Sequence, residues 1–314
     1  MPLYLREADV EALLSPADAV EAVAACFARI ARGAVESPPR TGLGLDGGRL
    51  GVAAAADLEL GVAGLRSSAS FRGVGAAELV VLLAADRPEV LAVLEAGRLG
   101  QLRAGATSAV AACRLAGRGA RSLGVIGCGR QAVGHVECVR TALPGIERVV
   151  AYCRTPERLA AFCRRLGAEP AEYGRDAAVQ DVVVTATSSR DPVLRGEWLR
   201  PGALVCATGA TSREARELDN RVLERAAFVC CDSLAQAKVE AGDLIEPVER
   251  GVLDWLEVHE LAEVVTGELH PRQRDDDIVL FKSVGLAAGD LALARLAVER
   301  ARERGLGLAL PERG

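Results

Sequence analysis

Apolar runs and amphipathic segments alternate along the chain from about residue 118 onward. Two amphipathic segments, 130–142 and 156–166, predict helices, and the apolar runs predict buried strands at 122–126, 148–153, 182–186, 203–207 and 228–231. Strands and helices that alternate at this spacing are typical of a doubly wound parallel sheet, whose ligands bind at the carboxyl ends of the strands. We therefore predict an α/β domain over residues 118–285.

Residues 1–117 show a different pattern, in which strands predominate. A helix is predicted after Ser15, a favourable N-cap residue that precedes a proline, and four strands follow at Gly51–Ala55, Val62–Ser68, Leu79–Leu83 and Val90–Leu94. This pattern predicts an α+β domain with an antiparallel or mixed sheet. A further amphipathic helix is predicted over 286–303. We expect residues 286–314 to complete the first domain, which is then discontinuous.

A glycine-containing turn joins the predicted strand at 122–126 to the helix that follows it. Its sequence is Gly127-Cys-Gly129-Arg-Gln-Ala132. In a dinucleotide-binding turn the first glycine permits the tight bend, the second lets the backbone approach the pyrophosphate, and a small third residue permits close helix packing. The helix N-terminus then offers free N–H groups to the phosphates. A plain strand–turn–helix would need the same glycines, but the alternation downstream favours a Rossmann-type nucleotide site.

The residues after the second predicted strand of this domain indicate which dinucleotide binds. An NAD site usually places an acidic residue there for the ribose 2′-hydroxyl. This chain instead has Arg154 and Thr155, with Arg158 one turn into the next helix. Guanidinium groups suit a 2′-phosphate, so NADP(H) is favoured and NAD(H) is less favoured. The alternative is that these arginines are ordinary surface charges.

Composition and charge exclude several classes of protein. The chain has 314 residues and a net charge of −5, so nothing favours nucleic acid or an anionic membrane as a partner. We see no apolar run long enough to span a bilayer and no signal peptide at the N-terminus. The 9 cysteines are an odd number without a C-x-x-C pair, which favours free thiols in a reducing, cytoplasmic compartment. With 3 histidines at no metal-binding spacing, we expect no metal site.

Three arginines outside the nucleotide turn are candidates for anion binding. Arg40 follows two prolines in an extended segment, and its spacing alone favours a solvated charge. Arg66 stands in an otherwise apolar strand, where it is either exposed at an edge or faces a polar cavity. Arg103 is predicted near the start of a small-residue helix, where the helix dipole disfavours a cation. A cation in such a place indicates an anionic ligand.

Several motifs in order along the chain resemble the ornithine cyclodeaminase/mu-crystallin family. The resemblance extends from about Glu36 to the final helix. Its motifs are Pro39-Arg40-Thr, Gln101-Leu-Arg103-x-x-Ala106-Thr-Ser, Gly127-x-Gly129-x-Gln131-Ala-x-x-His135, Arg216-Glu217-Leu218-Asp219, Asp232-Ser233 and Phe281-Lys282-Ser283-Val284-Gly285-x-Ala287-x-x-Asp290.

The resemblance implies a homodimer whose first domain binds substrate and forms the dimer contacts, while a Rossmann domain holds a nicotinamide cofactor. The implied substrates are small amino or imino acids, with the carboxylate bound by Arg40 and Arg103. The nucleotide residues that it implies are Arg130 and Gln131 at the pyrophosphate, Arg154 and Thr155 at the adenosine phosphate, Thr185, Ala186 and Thr187 near the nicotinamide, and Gly209 to Thr211 with Ser283 beside the reacting ring.

Two departures from the family pattern affect the chemistry. The family's catalytic lysine aligns with Arg66, and an arginine stays protonated, so it is a poor general base or acid. The aspartate of the cyclodeaminases aligns with Thr211, as in the mu-crystallin branch. Cyclodeamination needs proton transfers that these residues do not supply. Reduction of a preformed C=N bond needs less help from an acid or a base.

We therefore expect an NADPH-dependent reductase of a small imine or ketimine carboxylate, with Arg66, Arg103 and Thr211 at the reacting centre. The alternatives are an NAD(P)-dependent dehydrogenase of amino acids or N-substituted amino acids, a cyclodeaminase, and a catalytically silent protein that binds NADPH and a small ligand.

Overall fold

A computed structural model describes residues 1–71 and 73–311. The chain forms two compact units, the first of Met1–Arg103 with Leu286–Gly314 and the second of Ala104–Gly285. The sequence pattern places the first boundary after residue 117, whereas the structure places it inside a helix. Gly105 and Gly134 both belong to the second unit, and a Cβ atom added to Gly105 would overlap the backbone of Gly134, so the small-residue part of this helix packs within the second unit. Residues 312–314 of the predicted C-terminal segment lie outside the described residues.

Of the nine strands predicted above, five are longer in the structure, one has the predicted bounds and three are one residue shorter, and the structure contains further strands besides these. The strands are β1 Leu3–Leu5, β2 Val35–Glu36, β3 Thr41–Leu45, β4 Gly48–Asp57, β5 Val62–Phe71, β6 Gly75–Ala84, β7 Val90–Glu95, β8 Ser122–Ile126, β9 Arg148–Tyr152, β10 Glu169–Pro170, β11 Val182–Thr185, β12 Leu204–Ala207, β13 Ala226–Cys231, β14 Val258–Glu260, β15 Ile278–Lys282 and β16 Leu308–Ala309.

The α-helices are α1 Glu7–Leu13, α2 Pro16–Ala31, α3 Gly97–Leu115, α4 Arg130–Ala142, α5 Pro156–Leu166, α6 Gly174–Ala178, α7 Asn220–Arg225, α8 Leu234–Glu240, α9 Gly242–Glu249, α10 Leu261–Thr266 and α11 Ala287–Arg304. Two 3₁₀ turns lie at Gly196–Trp198 and Trp255–Glu257. The Ser15 side chain accepts a hydrogen bond from the Asp18 backbone N–H and caps α2, as predicted.

The first unit is a mixed sheet covered by helices. Its strands are ordered β16-β1-β7-β6-β5-β4-β2, with β3 paired to β4. The pair β1 and β7 is parallel, and the other pairs are antiparallel. Helix α11 packs on α2 and on strands β4 to β7, where Leu291, Ala294 and Val298 are buried. The C-terminal helix therefore supplies part of the core of this unit.

The second unit confirms the predicted Rossmann-type, doubly wound fold. Its eight-stranded sheet has the order β10-β9-β8-β11-β12-β15-β13-β14, and every pair is parallel. The strand order reverses at β8, which lies between β9 and β11. In open α/β sheets the ligand crevice lies at this reversal, outside the carboxyl ends of the strands.

Among the described residues, no helix is both long enough and apolar enough to cross a membrane. Within the same residues, no group of three or more histidine, cysteine or acidic side chains is arranged to hold a metal ion.

Candidate functional site

The turn between β8 and α4 has the geometry of a phosphate-binding turn. Gly127 has a φ of 113°, and a Cβ there would overlap the Ala186 carbonyl, so only glycine fits. Gly129 is the N-cap of α4 and provides no side-chain cap, and the first helical turn has no acidic residue. Space is open within 4 Å of a Cβ built on Gly129. The first N–H groups of α4 are therefore available to an anion, and the turn fits the pyrophosphate of a dinucleotide.

Of the other residues predicted for this turn, one is buried in the core, one is exposed and one has a buried polar atom without a partner. Ala132 is fully buried, which brings α4 close to the sheet. Arg130 is exposed at the first position of the helix. The Oε1 atom of Gln131 is buried and has no hydrogen-bond partner in the structure. Such an atom is costly unless a ligand pairs with it, so Gln131 is a suitable contact for a bound nucleotide.

The carboxyl end of β9 presents positive charge without a paired acid. Arg154, Thr155 and Arg158 are all exposed, and Thr155 is the N-cap of α5 without a side-chain cap hydrogen bond. In the described part of the chain, no salt bridge involves Arg154 or Arg158. Glu157, in the first turn of α5, is the nearest acid in the sequence. The predicted site for an adenosine phosphate thus has two uncompensated guanidinium groups.

The loops after β11 and β12 are held by a buried carboxylate, Glu217. Its Oε2 atom accepts hydrogen bonds from Thr185 Oγ1 at 2.8 Å and from the Gly209 N–H at 2.7 Å. Its Oε1 atom accepts one from the Thr187 N–H at 2.6 Å. Thr185 is fully buried, so its hydroxyl serves Glu217 and not a nucleotide directly. This differs from the sequence expectation, in which Thr185 lies beside the nicotinamide.

A second buried carboxylate holds the loop after β15. Asp232 accepts a hydrogen bond from Ser283 Oγ at 2.7 Å and one from the Gly285 N–H at 2.7 Å. The Ser283 hydroxyl therefore donates to Asp232 and its backbone N–H donates to the Ala207 carbonyl, which leaves the lone pairs of the hydroxyl oxygen for a ligand. Thr211 is half-buried in the loop after β12. His135 is buried, with Nε2 3.2 Å from Thr208 Oγ1, which suits a structural role.

The first unit contains a buried network of two arginines and two carboxylates. Arg66 Nη1 lies 2.6 Å from Asp290 Oδ1, and Arg66 Nη2 lies 2.9 Å from Glu78 Oε2. Arg103 Nε lies 3.3 Å from the same Asp290 oxygen. Both arginine side chains are 13% exposed. Desolvation opposes the charge on Arg66, but Asp290 and Glu78 outweigh it and raise the pKa of Arg66.

The network bears on two sequence expectations. Arg66 is not exposed at an edge, because β5 lies between β4 and β6, and two carboxylates hold its guanidinium. Arg103 is not near the start of its helix, since α3 begins at Gly97 and places Arg103 almost two turns inside. The helix dipole therefore does not explain Arg103, whereas its ion pair with Asp290 does.

Arg40 lies on the same sheet as Arg66. It is half-buried and directly precedes β3. Thr41 pairs with Val52 of β4, which pairs with Ser67 of β5. Since neighbouring strands are about 4.8 Å apart, the backbone of Arg40 lies roughly 10 Å from that of Arg66. The first unit thus brings Arg66 and Arg103 into contact with one carboxylate and places Arg40 two strands away.

Sequence reasoning missed the acids that hold these sites. Asp290 and Glu217 both lie in the family-like motifs, yet neither received a role. Glu78 is in β6, two residues from Val80, which pairs directly with Arg66. Residues two apart on a strand share a face, so Glu78 and Arg66 were findable as a cross-strand pair once the register was known.

Comparison with known proteins agrees with this architecture. The model of the ornithine cyclodeaminase/mu-crystallin family matches residues 2–305. The chain belongs to the ornithine cyclodeaminase/mu-crystallin family. The structure of Thermococcus litoralis Δ1-pyrroline-2-carboxylate reductase in complex with NADH and L-proline is similar, with a TM-score of 0.93 and 30% identity over 98% of this chain and 100% of that one.

Two other members are similar over almost their whole length. An archaeal alanine dehydrogenase, solved as a dimer with bound NAD, has a TM-score of 0.92 and 32% identity, and the match covers 99% of each chain. The iminosuccinate reductase of Paracoccus denitrificans is 30% identical over 97% of this chain and 98% of its own. These family members are oxidoreductases of imino or amino acids, and they differ in substrate.

Proposed function

We propose that this protein is an NADPH-dependent reductase that converts a small imine carboxylate, such as a cyclic imino acid, into the amino acid. The observation that carries the proposal is Arg66, held as a permanent cation by Glu78 and Asp290. Such a group can bind and orient an anion, but it does not exchange a proton at neutral pH. Reduction of a C=N bond is the reaction of this family that needs the least from an acid or base.

Support for NADPH comes from the carboxyl end of β9. Arg154 and Arg158 are exposed and form no salt bridge within the described residues, and the position that would hold an acidic residue for NAD is Arg154. A 2′-phosphate would accept hydrogen bonds from these guanidinium groups and from Thr155. The two related structures contain NADH or NAD, so this preference separates the chain from them.

The chain's own residues bind and orient the reactants in this proposal. Arg40 and Arg103 bind the substrate carboxylate, and Arg66 completes the anion site. The N–H groups at the start of α4 hold the pyrophosphate, with Gln131 as a further contact. The reduced nicotinamide supplies a hydride when it is bound. No side chain is assigned as the proton donor, so the proton on nitrogen arrives with the iminium substrate or from water.

The test measures nucleotide oxidation at 340 nm with Δ1-pyrroline-2-carboxylate and Δ1-piperideine-2-carboxylate. We expect turnover with NADPH and at least tenfold lower kcat/KM with NADH. Arg154→Ala should reduce the NADPH preference, while the matched surface variant Arg164→Ala should not. Absence of NADPH oxidation with every cyclic imino acid overturns the substrate class. An unchanged preference in Arg154→Ala overturns the assignment of the 2′-phosphate site.

A second candidate is an amino-acid dehydrogenase acting in the oxidative direction. The similarity to alanine dehydrogenase favours it. It would reduce NAD(P)+ with an amine substrate in the absence of an imine. The variant Arg66→Lys separates these enzymes from a silent binding protein. A large gain in turnover would indicate decayed catalysis in the native chain, and a loss would indicate that arginine has its own role.

We also propose a homodimer in a reducing, cytoplasmic compartment. The related alanine dehydrogenase is a dimer, and exposed apolar residues lie in the middle of β3, at the end of β5 and in the turn that follows it, at Leu43, Phe71 and Val74. All nine cysteines are free, as expected where thiols stay reduced. Light scattering of the purified protein tests the dimer.

A further inference from the structure

Glu217 joins the starts of two loops at the carboxyl edge of the parallel sheet. Its three hydrogen bonds come from Thr185, Thr187 and Gly209, which belong to or follow β11 and β12. A Cβ on Gly209 would lie 2.5 Å from Glu217 Oε1 and would also overlap the Thr187 backbone. The two loops are therefore fixed to each other through one carboxylate, and residue 209 must be glycine for the contact to form.

A second layer fixes Glu217 itself. Asp243 Oδ1 accepts hydrogen bonds from the backbone N–H groups of Glu217 and Leu218 at 2.7 and 2.9 Å. Lys282 Nζ lies 3.0 Å from Asp243 Oδ2. Glu217, Asp243 and Lys282 are all fully buried. Within this cluster two carboxylates accompany one ammonium, so its ionised form carries one net negative charge.

The hydrogen bonds to Glu217 favour its ionised form. Burial and the negative charge of Asp243 raise the pKa of Glu217 above its usual value, while the charge of Lys282 and the hydrogen bonds from Thr187 and Thr185 act to lower it and offset part of the rise. Both carboxylate oxygens accept from backbone N–H groups, which can only donate. Those donors are positioned by the strands and do not need to reorganise.

We propose that Glu217 is a positioning residue and a fixed negative charge for the nicotinamide end of the cofactor site. It rests on the proposed function in one respect, that the nicotinamide ring lies beside the Thr187 and Gly209 loops. The ring is neutral when reduced and cationic when oxidised, so positive charge develops on it as the hydride leaves. A fixed negative charge in a site without water stabilises the positive charge that forms on the ring in the transition state. Glu217 therefore favours the oxidised nucleotide and assists imine reduction without any proton transfer.

The test compares dissociation constants of oxidised and reduced nucleotide, measured by calorimetry on the wild type and on Glu217→Gln. The substitution keeps the size of the side chain and removes the charge, and its NH2 group cannot accept from the Thr187 or Gly209 N–H. Loss of that hydrogen bond disturbs the loops for both nucleotide forms, so the ratio of the two constants isolates the effect of the charge. At an effective dielectric constant near 20 and a separation of about 10 Å, one charge changes the ratio of the two constants about tenfold. We expect Glu217→Gln to weaken the oxidised form about tenfold relative to the reduced form.

Two further variants keep the proposal falsifiable. Asp243→Asn removes the other negative charge and keeps one oxygen for the Glu217 and Leu218 N–H groups, while its NH2 faces the Lys282 ammonium. It should lower stability and shift the ratio in the same direction by a smaller factor. Glu240→Gln is the matched control, since Glu240 is also buried but lies at the end of α8. The ratio of the two dissociation constants in Glu240→Gln should equal that of the wild type.

Equal weakening of both nucleotide forms in Glu217→Gln and Asp243→Asn overturns the inference. If that result accompanies normal imine reduction by the wild type, the proposed function stands without it. A shifted ratio in a protein that reduces no cyclic imino acid has the opposite meaning, because the charge effect is then present and the substrate class is wrong.

Discussion

Gly100 and Arg66 are predicted to be energetically coupled, because the guanidinium occupies the space of a side chain at residue 100. A Cβ on Gly100 would lie 2.8 Å from Arg66 Cζ and still closer to both terminal nitrogens. The guanidinium has little freedom to move, since Asp290 and Glu78 hold it at 2.6 and 2.9 Å. Gly100→Ala must therefore either strain this contact or break an ion pair.

Two opposing effects determine how much Gly100→Ala changes the free energy of unfolding. Replacement of glycine by alanine inside α3 gains about 1 kcal/mol of helix propensity, whereas overpacking a buried site costs about 1–3 kcal/mol. We expect Gly100→Ala to destabilise the native chain by roughly 0–2 kcal/mol. In an Arg66→Lys background the guanidinium is absent, so the same change should stabilise by up to about 1 kcal/mol. The coupling between the two positions is then about 1–3 kcal/mol.

The assay is urea unfolding of the two single variants, the double variant and the native protein. Gly44→Ala is the matched control, since space is open within 4 Å of a Cβ there, and its effect should be the same in both backgrounds. Effects of Gly100→Ala and Arg66→Lys that add within about 0.5 kcal/mol would refute the reasoning. The guanidinium would then not be fixed where the structure places it.

Three further predictions concern stability. Lys282→Met leaves Asp243 buried without its cation and should lower the free energy of unfolding, measured with urea, by about 3–5 kcal/mol. A decrease of less than about 1 kcal/mol would contradict the buried ion pair. Ser15→Ala removes the N-cap of α2 and should cost about 1 kcal/mol, seen as a lower Tm, whereas an unchanged Tm would count against the cap. The hydrogen bond from Arg300 lowers the pKa of Asp18 well below its usual value. This pair therefore stabilises the fold above about pH 4, and its contribution is lost as the pH falls further. Asp18→Asn should make the free energy of unfolding fall less steeply at acid pH, and an unchanged fall would exclude the pair as its source.

The sequence predicted the elements whose signals are local. Helix α5 was predicted with both ends correct because Thr155-Pro156 begins it and Gly167 ends it in a left-handed conformation. The strand at 122–126 was also predicted with the correct bounds, because a short, mainly apolar run ends there directly before Gly127. The short helices α7 to α10 were missed. Their apolar residues form less than three turns each, which is too little for a periodic signal.

The chemistry of the site was predictable only in part. The glycine turn and the arginines after β9 each lie in one short stretch of sequence, so their proposed roles could be inferred from a local pattern. The partners of Arg66 are 12 and 224 residues away, and nothing local indicates that two carboxylates would hold it. The start of α3 was misplaced because Gly97 and Gly100 resemble helix breakers, whereas Gly100 is required by the Arg66 side chain. Tertiary contacts decided both points.

The pairing of the two chain ends has a consequence for the order of folding. Leu3 pairs with Ala309 and Tyr4 with Leu308, and α11 covers the same sheet that β4 to β7 build. On the ribosome, the first unit thus has its strands about 190 residues before its last helix, while the second unit is complete at Gly285. We expect the nucleotide-binding unit to become protease-resistant first during synthesis. Until α11 emerges, it cannot cover the face of the sheet that β4 to β7 build.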